Sequence, residues 1–288
     1  MVRKATRGRG ADGVFTVRNI ALIFAGGTGR RMSSASRPKQ FLELHGKPII
    51  VYTLEVFEAH PQVDAVVVVC LADWIGFLED RVARAGLKKV QAIVAGGCDG
   101  QASIRNGVRA CAGRYPEDSC VLVHDGVRPL VDAATISRCI EGVRAHGSAV
   151  TVVPAIETIV RQEGGVVTEI VDRASCEMAR APQAFLLGEL ARAHERAVED
   201  GLGSAFIDTA GLMAHYGCEL RVVEGNPENI KITTPVDFYS FAGIVDGAAG
   251  MFDAGEGRAF GTADGNGIRD MADEGDAFGA AGEGGGRV

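Results

Sequence analysis

The residues with the clearest capacity for chemistry lie in one stretch, residues 20–40, which reads IALIFAGGTGRRMSSASRPKQ. An apolar run is followed by a group of glycines and cationic residues, of which we single out Gly26, Gly27, Gly29, Arg30, Arg31 and Lys39. Glycines permit a tight turn and let backbone N–H groups approach a ligand closely. A helix that begins near Gly29 would add a favourable field for anions. The three cationic side chains therefore indicate a site for several phosphate charges.

The glycine spacing excludes two better-known phosphate loops. The Walker A pattern G-x-x-x-x-G-K-[ST] fails because nothing in this stretch supplies its Lys-Ser/Thr pair. The dinucleotide pattern G-x-G-x-x-G also fails, since Met32 stands where a glycine is required after Gly27 and Gly29. An ordinary strand-to-helix turn stays open as the alternative for the glycines taken alone.

Two further charged residues, Asp125 and Lys231, are adjacent to apolar residues that are expected to be buried. Asp125 ends the run CVLVHD, and a carboxylate in that place suits Mg²⁺, which prefers oxygen ligands and keeps waters and phosphate oxygens. Alternatively, Asp125 caps the turn that follows it. Lys231 lies between two isoleucines and is either a snorkelling side chain or a ligand for phosphate.

Strands and helices alternate along the chain. Buried strands are predicted at 20–25, 63–71, 90–95, 120–124, 149–154 and 220–224. Helices are predicted at 47–60, 74–85, 103–111, 135–146, 187–200 and 209–216. This alternation predicts a three-layer α/β fold with a mostly parallel sheet. In such sheets ligands bind at the carboxyl ends of the strands.

The runs AGGTGRRM (residues 25–32) and RPKQF (37–41) resemble the signature of sugar-phosphate nucleotidyltransferases. More narrowly they resemble the cytidylyltransferases that act on 2-C-methyl-D-erythritol 4-phosphate or D-ribitol 5-phosphate. The runs HDGVRP (124–129) and ENIKITTP (228–235) extend the resemblance, which continues to about residue 244. It implies a Rossmann-like nucleotidyltransferase fold with a protruding β-hairpin arm. It also implies Mg²⁺-dependent transfer of CMP from CTP to a polyol phosphate, with release of pyrophosphate.

The resemblance implies a role for each matching position. Arg31, Lys39 and Lys231 would stabilise charge on the reacting phosphorus, and Asp125 would bind the metal. The nucleotide would contact Ala25, Gly26, Gly27, Thr28, Gly29, Gly97, Ser103 and Gly126. The acceptor would contact Arg128, Thr158, Arg173 and Asp208. Asp208 is alternatively the N-cap of the helix that follows.

The chain departs from the family pattern at four positions. Cys98 and Gly100 stand where an acidic residue and an arginine are common. Ala181 and Ile207 stand where threonines are usual, so hydroxyl groups are lost at both places. These departures keep open a non-catalytic nucleotide-binding module as the alternative to an enzyme.

Residues 156–160 and 166–170 alternate apolar and polar side chains around Glu163-Gly164-Gly165, which predicts an antiparallel hairpin. The resemblance implies that this arm, about residues 155–175, crosses to a second subunit and helps to build the acceptor site of a homodimer. A surface hairpin without a partner is the alternative.

The composition separates the two ends of the chain from its centre. Residues 1–19 carry five basic groups and one acidic group, and residues 246–288 carry nine acidic groups and 13 glycines. These compositions predict a flexible basic extension and a disordered acidic tail around a catalytic domain at 20–245.

The extension is too short for a nucleic-acid arm, and no apolar stretch approaches the ~20 residues of a membrane span. Seven scattered cysteines without C-x-x-C favour reduced thiols in the cytoplasm.

The acceptor is the least determined part of the function. The runs KPIIVYTLE, ETIV, HDGVRP and NIKITTP favour D-ribitol 5-phosphate, which would give CDP-ribitol. The alternative is 2-C-methyl-D-erythritol 4-phosphate, a precursor of isoprenoids. A nicotinamide dehydrogenase is disfavoured by the failed glycine spacing.

Overall fold

The computed structural model describes residues 17–27 and 37–248. The predictions for Thr28, Gly29 and Arg31 lie outside these residues, as do those for segments 1–16 and 249–288.

Within these ranges the strands are β1 (Asn19–Ala25), β2 (Glu43–Leu44), β3 (Lys47–Pro48), β4 (Ala65–Cys70), β5 (Val90–Ala95), β6 (Cys120–Asp125), β7 (Ser148–Pro154), β8 (Ile159–Glu163), β9 (Val166–Val171), β10 (Glu177–Leu186) and β11 (Val222–Glu224). The helices are α1 (Ile49–Ala59), α2 (Ile75–Arg84), α3 (Gly100–Ala112), α4 (Ala133–His146), α5 (Leu187–Glu199), α6 (Thr209–His215) and α7 (Pro235–Ala248).

The central sheet has seven strands in the order β11-β7-β10-β6-β1-β4-β5. Every neighbouring pair is parallel except the two pairs made by β10, which runs antiparallel to β6 and β7. The sheet is flanked by helices, so the predicted α/β fold with a mostly parallel sheet is confirmed.

Strand β1 lies inside this sheet, between β6 and β4, and shows how both faces of the sheet are covered. Ile20 and Leu22 pack with residues of α3, α5 and α6 in one core cluster. Ala21 and Ile23 point to the opposite face, where they pack with residues of α1, α2 and α4. Burial on both faces explains why β1 reads as a continuous apolar run instead of an alternating one.

Two of the longer elements, β10 and α7, were not predicted from the sequence. Strand β10 contains Pro182, and proline inside a strand argues against that assignment unless the strand is irregular. The pairing of β10 with β7 is indeed irregular between Ala179 and Gln183, which accommodates the proline. Helix α7 was also missed, and it extends beyond residue 245, where the tail was expected to begin.

The predicted hairpin is present as a local structure. Strands β8 and β9 pair antiparallel and form a sheet of their own. The turn between them contains Gly164 and Gly165, both with positive φ (57° and 83°), a conformation that favours glycine. The role of this hairpin as an arm between subunits stays a prediction.

Candidate active site

The predicted loops meet at one edge of the sheet. Strand β1 ends at Ala25 and β5 at Ala95, and each is followed by two glycines. Strand β6 ends at Asp125 and lies directly beside β1. Because parallel strands end at the same edge, the glycine pairs and Asp125 lie along one edge of the sheet, which we take as the candidate cleft.

The start of the first glycine loop is held from inside the protein by Gln40. Its Nε2 donates to the carbonyl oxygens of Ala25 at 2.7 Å and Gly27 at 3.1 Å. Gln40 is only 1% exposed. Sequence reasoning did not assign it a function, although it directly follows Lys39. We assign Gln40 to positioning the loop.

The second glycine pair packs against the first through Ser103. The Oγ of Ser103 accepts from the N–H of Gly97 at 3.0 Å and donates to the carbonyl of Asp99 at 2.7 Å. A Cβ on Gly26 would lie 2.8 Å from this Oγ, so the two loops are in direct contact. Gly97 and Ser103 thus lie beside the first loop, and their contact with a nucleotide stays a prediction.

Alanine variants of two glycines distinguish a glycine needed for packing from a glycine needed for contact with a ligand. A Cβ on Gly97 would lie 2.4 Å from the Cβ of Ala102. Gly97→Ala is therefore expected to lower the free energy of unfolding by about 1–3 kcal/mol, because helix α3 must shift. A Cβ on Gly27 would meet no atom of the described residues within 4 Å. Gly27→Ala is expected to change stability by less than about 0.5 kcal/mol and to weaken CTP binding.

Urea unfolding and calorimetric titration with CTP measure the two effects. An equal loss of stability in both variants would contradict the view that Gly27 serves ligand binding and not packing.

Asp125 lies between two cations from different parts of the chain. Its Oδ2 accepts from Nε of Arg128 at 2.8 Å, and its Oδ1 lies 2.5 Å from Nζ of Lys231. The side chains of Asp125 and Arg128 are buried, whereas that of Lys231 is 41% exposed. Burial by itself raises the pKa of the Asp125 carboxyl, but the charges of Lys231 and Arg128 hold that pKa below its ordinary value. Asp125 is consequently a carboxylate at neutral pH.

Two further residues fix the position of Arg128. His124 is fully buried, and burial lowers its pKa to about 4, so its ring is neutral. Its Nε2 lies 3.1 Å from the carbonyl oxygen of Arg128, which can only accept, so Nε2 carries the proton. The Nη1 of Arg128 donates to the carbonyl of Asn229 at 2.8 Å, and Nδ2 of Asn229 donates to the carbonyl of Ala181 at 2.7 Å. Asn229 thereby links three segments of the cleft.

Lys39 is brought to the same place. Its Nζ donates to the carbonyl of Ile232 at 2.9 Å, next to Lys231. Burial raises the pKa of Asp237, but the N–H groups of Thr234 and Thr233, with a smaller contribution from Lys39, hold it below its ordinary value. The structure therefore gathers four predicted residues, Lys39, Asp125, Arg128 and Lys231, although more than 190 positions separate the first from the last.

The other predicted acceptor residues are not joined to this group. Asp208 is the N-cap of α6 and accepts from Gly211 N at 2.8 Å, while its Oδ2 accepts from Nε2 of Gln183 at 2.8 Å. Thr158 and Arg173 lie on the exposed hairpin segment, where Nη1 of Arg173 donates to the carbonyl of Ile156. Within residues 17–27 and 37–248, no hydrogen bond or ion pair links these three residues to Asp125. Their contact with the acceptor stays a prediction.

Comparison with known proteins identifies the family. The sequence profile of the family described as IspD, 2-C-methyl-D-erythritol 4-phosphate cytidylyltransferase, matches residues 19–246. The chain belongs to the IspD family.

Individual relatives of this IspD-family chain carry two different names. A ribitol-5-phosphate cytidylyltransferase of Vibrio parahaemolyticus is 46% identical over 79% of this chain and 96% of the relative. A 2-C-methyl-D-erythritol 4-phosphate cytidylyltransferase of Geobacter metallireducens is 44% identical over 76% of this chain and 93% of the relative. A crystal structure of a 4-diphosphocytidyl-2C-methyl-D-erythritol synthase has a TM-score of 0.66 at 29% identity and covers 80% of this chain and 100% of that one. The family and the fold expected from the sequence are confirmed.

The IspD-family site offers one carboxylate to a divalent cation. In the described part of the chain, no group of three or more His, Cys, Asp or Glu side chains could hold a metal ion. Mg²⁺ is commonly held by one or two carboxylates together with substrate phosphates and water, so Asp125 alone fits this ion. Among the helices in the same ranges, none has the length and hydrophobicity needed to cross a membrane.

Proposed function

We propose that this chain transfers CMP from CTP to D-ribitol 5-phosphate, forming CDP-ribitol and pyrophosphate. The observation that carries the transfer reaction is the pairing of Asp125 with Arg128 and Lys231, with Lys39 bonded to the carbonyl of Ile232 next to Lys231. The acceptor is supported by the 46% identity to a ribitol-5-phosphate cytidylyltransferase and by the sequence runs given above.

The reaction requires positioning and charge neutralisation more than proton transfer. An oxygen of the acceptor phosphate attacks the α-phosphorus of CTP in line, and the bond from that phosphorus to the bridging oxygen of pyrophosphate breaks. A phosphate oxygen is already nucleophilic at neutral pH, so no side chain needs to act as a base. Lys39, Lys231 and Arg31 are proposed to stabilise the charge that develops on the phosphorus, and Arg128 to bind the acceptor phosphate.

Asp125 has two parts in this proposal. It orients Arg128 and Lys231 through its two oxygens, so both cations are held before substrate arrives. It would also hold Mg²⁺, which neutralises phosphate charge when bound. His124, Asn229 and Gln40 keep the backbone of the cleft in place through the hydrogen bonds described above.

The hairpin supports a homodimer. Its segment exposes Ile156, Val160, Val166, Val167 and Ile170, which are between 47% and 73% exposed. A two-stranded hairpin is marginally stable alone, and an exposed apolar surface of this kind marks an interaction site. We propose that a second copy of the chain covers it, and that Thr158 and Arg173 reach the partner's acceptor site.

All seven cysteines are unpaired, which supports a cytoplasmic location.

Changing Ile170 to aspartate tests this dimer. Light scattering is expected to give twice the chain mass for the wild type and a shift toward one chain mass for Ile170→Asp. The KM for the acceptor should rise in this variant, while the dissociation constant for CTP stays unchanged. Val222→Asp is the matched control, because Val222 is 61% exposed on β11, outside the hairpin. A wild type that remains monomeric at high concentration would contradict the proposal.

A competition experiment tests the acceptor. The protein is incubated with CTP, Mg²⁺ and equal amounts of D-ribitol 5-phosphate and 2-C-methyl-D-erythritol 4-phosphate, and both CDP products are quantified by mass spectrometry. The product ratio gives the ratio of the two kcat/KM values. We expect CDP-ribitol to predominate. If the other product predominates, the proposed acceptor is wrong, while the proposed cytidylyl transfer still holds.

A further inference from the structure

Arg180 lies at the cleft edge of the sheet, although sequence reasoning gave it no role. Strand β10 runs antiparallel to β6, with Gln183 opposite Val123. Residues that precede Gln183 in β10 therefore extend beyond the carboxyl end of β6, where Asp125 begins the turn that carries Arg128. Hydrogen bonds support this placement, because Asn229 bonds both the carbonyl of Ala181 and, through its own carbonyl, the side chain of Arg128.

The charge of Arg180 is not neutralised by the residues around it. Its side chain is half-buried, and its Nε is buried without a hydrogen-bond partner. Across residues 17–27 and 37–248 it forms no ion pair with a carboxylate. The carboxylate of Asp125 already pairs with Arg128 and Lys231. Burial lowers the pKa of Arg180, and the positive charge of Arg128 lowers it further.

This arrangement resembles an anion site more than a structural ion pair. Three cations, Arg128, Arg180 and Lys231, lie at this edge with a single carboxylate between two of them. Arg128 already uses Nε and Nη1 for Asp125 and Asn229. Within the described ranges the guanidinium of Arg180 makes no hydrogen bond, so its donors are available to a ligand. A guanidinium suits two oxygens of one phosphate group.

We propose that Arg180 binds the phosphate group of the acceptor, side by side with Arg128, and thereby sets the affinity for polyol phosphates. The inference rests on the proposed cytidylyl transfer. It adds a contact that does not come from any of the sequence runs shared with the family. The phosphate it binds is the nucleophile, so Arg180 would also hold the attacking oxygen in place.

Steady-state kinetics of Arg180→Gln and Arg180→Lys test this contact. The KM for D-ribitol 5-phosphate is expected to rise about 10-fold to 100-fold in Arg180→Gln, the size of a lost hydrogen bond to a charged group. The KM for CTP and the melting temperature should not change. Arg180→Lys should recover part of the affinity, because it keeps the charge and loses the planar fork.

Arg192→Gln provides the matched control. Arg192 pairs with Glu117, which precedes β6 and therefore lies toward the opposite edge of the sheet. Its removal should leave both KM values unchanged. The inference would be overturned if Arg180→Gln kept the wild-type KM for the acceptor, or if both KM values rose equally.

Direct binding of inorganic phosphate separates this inference from the proposed function. Calorimetric titration is expected to show tighter phosphate binding by the wild type than by Arg180→Gln. If the wild type turns over no acceptor, the proposed function fails, yet this comparison still tests Arg180. Equal phosphate affinity in the two proteins would refute the contact. A shift of the oligomer's mass in solution toward one chain mass in Arg180→Gln would also refute it, because it would indicate that Arg180 pairs with a carboxylate of the partner chain.

Discussion

Lys231→Ala is expected to lower kcat by about 100-fold or more in a protein that remains folded. The ammonium of Lys231 lies 2.5 Å from Asp125 Oδ1 at the cleft edge of the sheet. Removing one cation that stabilises transition-state charge typically raises the barrier by about 3 kcal/mol. Its side chain is 41% exposed, so its loss leaves no buried cavity. Pyrophosphate release at saturating substrates measures kcat, and circular dichroism reports the fold.

Lys47→Ala is the matched control for this variant. Lys47 forms an ion pair with Glu55 at 2.8 Å, and its side chain is 37% exposed, close to the value for Lys231. It lies on the short strand β3, outside the cleft group. Its removal should leave kcat within about twofold of the wild type, a barrier change below about 0.5 kcal/mol. Similar kcat values for the two variants would refute the role given to Lys231.

Asp125→Asn is expected to abolish turnover and also to lower the free energy of unfolding by about 3 kcal/mol at neutral pH. Asparagine has nearly the same shape, but it lacks the charge that balances Arg128 and Lys231. Removing one partner of a buried ion pair leaves an uncompensated charge, which is costly. Urea unfolding of wild type and variant at pH 7 measures the difference.

The pH dependence of this difference follows from the lowered pKa of Asp125. Its folded-state pKa lies below the ordinary value of 3.8, so the carboxylate stabilises the folded protein fully above that pH. The contribution is lost as the pH falls through the folded-state pKa, because both states then bind the proton. The stability gap between wild type and Asp125→Asn should therefore be constant near neutrality and shrink in acid. A gap that widens in acid would contradict the ion-pair account.

The sequence predicted most of the central sheet because its parallel strands are apolar on both faces. The run at β1 and the valine run at β4 have no other plausible place than a buried strand. Strand β10 was not predicted because it runs antiparallel and carries Pro182, and because its apolar and polar residues alternate only in part. Its discovery changes the site, since the register of β10 is what brings Arg180 to the cleft.

The candidate site was predictable where the chemistry is local and unpredictable where it depends on distant contacts. Lys39, Asp125 and Lys231 follow from short runs with a recognisable pattern. Gln40 and Asn229 act through hydrogen bonds to segments 15 and 48 residues away, and no local pattern indicates them. Contact of Ser103 with the nucleotide stays a prediction, and the structure shows that its hydroxyl holds the turn at Gly97.

The most direct test of the account is the release of pyrophosphate from CTP and Mg²⁺ in the presence of D-ribitol 5-phosphate, with the nucleotide product weighed by mass spectrometry. We expect one pyrophosphate for each CDP-ribitol formed and no release without an acceptor. Binding of CTP without release of pyrophosphate, with D-ribitol 5-phosphate and with 2-C-methyl-D-erythritol 4-phosphate alike, would contradict it and favour a non-catalytic nucleotide-binding module.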